Sequence, residues 1–123
     1  MKNKNGFIAM TSILVISAVV LIISITVSML SIGEGQSGLA HYKGENTLTF
    51  VEGCMEDALI NARNNVSYNG GNITRPEGTC VITVVKSGNW TITATTTNTF
   101  FKRTIEAVIT RASSITILSW KEI

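Results

Sequence analysis

Between Asn5 and Gly33 the chain carries no charged side chain, and its apolar core runs from Phe7 to Ile32, 26 residues. Wound as a helix at about 1.5 Å per residue, this segment is about 39 Å long, more than the roughly 30 Å of hydrocarbon in a bilayer. It is long enough to span. The polar interruptions are Thr11, Ser12, Ser17, Ser24, Thr26 and Ser28, whose hydroxyls can bond back to helix carbonyls within lipid. Charged residues make up only 15% of the 123, against about 25% in an ordinary soluble domain, and mean hydropathy is +0.31. The length allows one small domain, and the apolar content excludes a disordered chain. A net charge of +2 is too small for a nucleic-acid footprint. One His and two Cys leave little material for a metal cluster or a catalytic triad.

Lys2 and Lys4 precede the apolar run. They act as a topology signal that keeps the N-terminus in the cytoplasm and sends the chain beyond about Gly33 outside. A removable secretory signal usually has an apolar region of about 7 to 15 residues ending at a small-x-small site. This run is much longer, and Leu30 spoils the match at Ser28-Met29-Leu30. The junction Lys4-Asn5-Gly6-Phe7-Ile8, with two lysines before Gly6 and an apolar helix after Phe7, resembles the N-terminus of bacterial type IV pilin-like proteins. The resemblance implies a leader at 1–6, cleavage by a prepilin peptidase between Gly6 and Phe7, and methylation of Phe7 as the new N-terminus. Major subunits of that family carry Glu as the fifth mature residue. Thr11 stands there in this chain, which resembles the minor or filament-initiating pilins and pseudopilins instead.

Beyond the span, Gly33, Gly35 and Gly38 fall within six residues, and each costs about 1 kcal/mol relative to Ala inside a helix. The stretch reads either as a linker or as a weakened helix. From Leu39 to Arg63 apolar residues recur every three to four positions (Phe50 or Val51, Cys54 or Met55, Ala58 or Leu59, Ala62), with Glu52, Glu56, Asp57, Asn61 and Arg63 on the other face. Asn64-Asn65 and the Asn69–Asn72 cluster signal its end. The segment from Gly44 to Leu59 also resembles the corresponding helix of pilus assembly proteins of the X type.

The period then becomes alternating. Residues 79–86, 90–97, 100–111 and 114–120 read as four strands joined by short links, which makes an antiparallel meander. Gly71 to Arg75 reads as a loop or an extra edge strand. One face of the first strand would be Val81, Thr83 and Val85, or else Cys80, Ile82 and Val84. Ile92, Ile105, Val108, Ile115 and Ile117 would supply the rest of the buried face. A sheet with one wet face needs a partner for the other, and the amphipathic helix is the candidate. The expected class is therefore α+β. It has a long N-terminal helix, part transmembrane (7–32) and part amphipathic (33–64), packed on a four-stranded antiparallel sheet (65–123), which is also the type IV pilin-like fold.

Two cysteines, Cys54 and Cys80, lie beyond the membrane segment in a small exported domain, a setting that favours a disulfide over two buried thiols. His41 reads as a solvated or interfacial residue. The Asn-x-Ser/Thr triplets at Asn65, Asn72 and Asn89 are expected by chance in a chain rich in Asn and Thr. Phe100, Phe101, Lys102 and Arg103, with Trp90 near Lys86, would make a basic and aromatic patch for single-stranded nucleic acid only if they shared a face. Strand alternation splits them, so no nucleic-acid partner is expected. Three readings of function remain. One is a structural pilin-like subunit, partnered by other pilin subunits, the prepilin peptidase and the membrane, and ending at the cell surface. Another is an adhesive, DNA-binding or partner-binding ectodomain using Trp90, Phe100, Phe101, Lys102 or Trp120. The last is a plain single-span membrane protein. No enzymatic role and no cofactor or metal is expected.

Overall fold

The computed structural model describes residues 4–97 and 101–123, so Lys2 and Phe100 lie outside the described residues. The order is α1 (Lys4–Asn64), β1 (Gly70–Arg75), β2 (Gly78–Ser87), β3 (Asn89–Thr96), β4 (Thr104–Arg111) and β5 (Ile115–Glu122). The chain divides into two units, the first ending at Ala40 and the second running from His41 to Ile123.

In the first unit every described residue is helical and exposed, and the helix is long and apolar enough to cross a membrane. Gly33, Gly35 and Gly38 stand in helical backbone, so the linker alternative does not hold. The hydroxyls turn inward on the helix itself. Ser12, Ser17, Ser24, Thr26 and Ser28 each donate to the carbonyl four residues back, at 2.7 to 2.9 Å. Thr11 Oγ1 donates to the carbonyls of Phe7 and Ile8, at 3.0 and 2.9 Å.

The second unit holds the core. The part of α1 within it buries Gly44, Thr47, Val51, Cys54, Met55, Ala58 and Ala62, a stripe at helical spacing. Opposite lie Cys80 and Ile82 on β2, Trp90, Ile92, Ala94 and Thr96 on β3, and Ile105, Ala107 and Ile109 on β4. The pleat sends every second residue of each strand to the helix. Of the two faces open for β2, the one with Cys80 and Ile82 is buried, and Val85 is exposed.

Two expectations are corrected. The sheet has five antiparallel strands in the order β1-β2-β3-β4-β5, not four. The added strand is β1, whose Ile73 lies opposite Cys80 and whose Asn72 lies opposite Val81. It begins at Gly70, where φ is +91° and a Cβ would run into the Ile82 carbonyl oxygen, so a glycine lets the edge strand close onto β2. The second correction concerns the buried face. Ile105, Ala107 and Ile109 share one parity on β4, which places Val108 on the other side, only half-buried. Ile117 is 49% exposed.

The end of α1 is closed by side chains. Arg111 Nε donates to the Ala62 carbonyl at 3.0 Å, and its Nη2 to the Arg63 carbonyl at 3.3 Å. A cation here satisfies orphan carbonyls and faces the negative end of the helix dipole. Arg111→Ala should lower the unfolding free energy by about 1 to 2 kcal/mol. Arg111→Lys should lose less, because it keeps the charge but not the two-pronged donor. Urea titration of the full chain in micelles, followed by tryptophan fluorescence, measures both.

Candidate functional site

The processing site proposed from the sequence lies in α1 of the first unit. Gly6 and Phe7 are exposed and helical, as is Lys4, and nothing lies within 4 Å of where a Cβ on Gly6 would stand. Thr11, at the fifth position from Phe7, spends its hydroxyl on the helix backbone and offers no carboxylate.

In the second unit Cys54 on α1 and Cys80 on β2 form a disulfide, 26 positions apart and both fully buried. It ties the part of α1 within this unit to the strand beneath. No free thiol remains, and among the described residues no three His, Cys, Asp or Glu side chains converge on a point that could hold a metal. His41 is exposed.

The aromatic candidates separate. Trp90 is a core residue, with Lys86 Nζ 4.4 Å and the Arg111 guanidinium 5.8 Å from its ring centre. Lys86 also donates to the Val66 carbonyl at 3.0 Å. Both cations are therefore held by structure at the closed end of the helix. Phe101 is half-buried, while Lys102 is exposed. Its loop is anchored by Thr96, whose buried hydroxyl donates to the Phe101 carbonyl at 3.3 Å and accepts from the Arg103 amide at 3.1 Å. Arg103, just before β4, pairs with Glu122 at the end of β5. Trp90, at the start of β3, thus lies at the other end of that strand from the loop that carries Phe101 and Lys102.

Two surfaces were not foreseen. On the flank of α1 toward β1, a cavity of about 560 Å³ is lined by Lys43, Phe50, Gly53, Arg75, Glu77 and Phe101. Arg75 is already paired with Asp57, and Glu77 is the single carboxylate of the lining. On the other flank lies β5, exposed along nearly its whole length, with Ile117, Leu118 and Trp120 open to solvent.

Comparison with family models, curated proteins and solved structures found no match. Among the described residues, Tyr68, beside the end of α1, is a titratable group with a shifted equilibrium. Burial pushes its phenol above the ordinary value, a hydrogen bond with the Asn61 side chain pulls it back, and the Asp57 carboxylate adds to the rise. A phenol shifted upward stays neutral at physiological pH.

Proposed function

We propose that the chain is a pilin-like structural subunit, of the minor or initiating kind, processed after Gly6 and anchored by Phe7 to Ile32 until it enters a filament. The carrying observation is the Gly6-Phe7 junction, set after basic residues and directly before an uncharged helical run whose sides are all exposed. An exposed apolar helix needs an apolar solvent, which is lipid before assembly and neighbouring helices after it. The disulfide-tied unit that follows supports an extracytoplasmic destination, where oxidising conditions keep such bonds closed. Function in this reading is assembly, and the reading also supplies the prepilin peptidase and other subunits as partners.

Mass spectrometry of the chain from cells with an active prepilin peptidase is the test. The expected product starts at Phe7, with or without an added methyl group. A product that retains Met1 or Asn5 would leave a plain single-span membrane protein and overturn the proposal.

A further inference from the structure

The helix in the second unit is narrower than the sheet it covers. Five strands spaced about 4.8 Å apart place the outer strand axes about 19 Å from one another, while a helix with its side chains is about 10 to 12 Å across. The Asp57–Arg75 pair and the approach of Phe50 to Gly78 identify the flank of α1 that faces β1. By helical spacing the opposite flank, facing β5, carries Leu48, Glu52 and Leu59. Leu48 and Leu59 pack against the margin of the core.

The register of β5 shows what lies beside that flank. Ile117 is opposite Ile109 and Trp120 is opposite Ala107, both buried core positions, so Ile117 and Trp120 point to the helix side of the sheet. The helix does not reach them. Ile117 remains 49% exposed and Trp120 41% exposed, forming with Ile115, Leu48 and Leu59 an apolar shelf along the side of α1. The free edge of β5 is a poor template for another strand, because the ladder is interrupted between Val108 and Ile109, where Leu118 is the extra residue. The shelf is one helix wide, given that packed helices lie about 8 to 10 Å apart.

Charge narrows the occupant further. Glu45, Glu52 and Glu56 border the shelf on the helix side, with Arg63 at the same helical angle beyond Leu59, and among the described residues none of the three carboxylates forms an ion pair. No helix of a second copy answers them. Its α1 segment from His41 to Asn64 carries four carboxylates against Lys43 and Arg63, and its apolar run from Asn5 to Gly33 carries no charge. We infer that the shelf between β5 and α1 docks a helix of a different protein, one whose apolar stripe is bordered by Lys and Arg. The apolar stripe covers Ile117 and Trp120, and the basic border faces Glu45, Glu52 and Glu56. All these residues lie within His41–Ile123, so the inference does not depend on processing at Gly6 or on a filament.

The test places a photo-reactive benzoylphenylalanine at Ile117, at Trp120 or at Val85 in the full chain, expressed in the cells that make it. Val85, exposed on the opposite face of the sheet, is the control. The expected result is an adduct from Ile117 and from Trp120, but not from Val85, to an apolar, Lys/Arg-bordered helical segment of another protein. Combining Glu52→Lys with Glu56→Lys should reduce that adduct by about tenfold. An adduct to a second copy, to lipid or to an acidic segment would overturn the inference. So would equal labelling from Val85, or no adduct from either shelf position in a chain whose Cys54–Cys80 bond is intact.

Discussion

Replacing Cys54 and Cys80 together by Ala should destabilise the second unit by about 3.5 kcal/mol, the loop-entropy value for a closure of this length. The two positions are 26 apart, and the bond joins α1 to β2 at the centre of the core. Without it, the unfolded chain regains the freedom of the intervening residues, which include the end of α1 and all of β1. A small domain has about 5 to 15 kcal/mol in total, so this loss is a large share. Urea titration of the full chain in micelles, with and without reductant, measures it. A shift in the midpoint below about 1 kcal/mol equivalent would mean that the bond does not restrain the unfolded state. The native fluorescence of Trp90 should survive in the variant, since the ring is held by Lys86, Arg111 and strand packing.

The second large effect is expected at Ile92. It sits on β3, the middle strand of five, is fully buried, and has Val84 and Ala107 as its cross-strand partners. Ile92→Ala removes three carbons where neither the sheet nor the helix can close the gap, and should cost about 3 to 4 kcal/mol. Ile117→Ala, the same chemical change on the uncovered strand, should cost under about 1 kcal/mol, because that side chain is already half in water. The pair separates burial from side-chain type. Equal losses at the two sites would show that β5 is covered in the isolated chain.

Periodicity revealed the helix stripe and four of the strands, because in each the apolar residues repeat at the spacing of the element. The first strand of the sheet was only an alternative, for a physical reason. Gly70-Gly71-Asn72-Ile73-Thr74-Arg75 has two residues without side chains and a single apolar one, so no alternation is present. Its place comes from pairing with β2 across a tight turn, which is a property of the partner strand. The exposure of β5 was equally hidden. Ile115 and Ile117 alternate as in a core strand, Trp120 joins their face only through the extra residue Leu118, and the width of the helix relative to the sheet leaves Ile117 and Trp120 uncovered. The cysteine pair was legible from compartment and count. The cavity beside Phe50 was not, because its walls come from α1, the β1–β2 turn and the β3–β4 loop.

The back-bonded hydroxyls of the first unit bear on how such a helix chooses neighbours. Each of Thr11, Ser12, Ser17, Ser24, Thr26 and Ser28 already donates its proton to its own backbone. To reach across to another helix, a hydroxyl would first have to give up that bond, so the net gain is small. Toward its surroundings the segment therefore behaves as a hydrocarbon rod with shallow dents. Contact with a like rod is governed by shape, and sliding or turning by a residue loses little. In a filament of the kind proposed, partner choice and register would then come from elsewhere in the chain, by way of the folded unit that begins at His41.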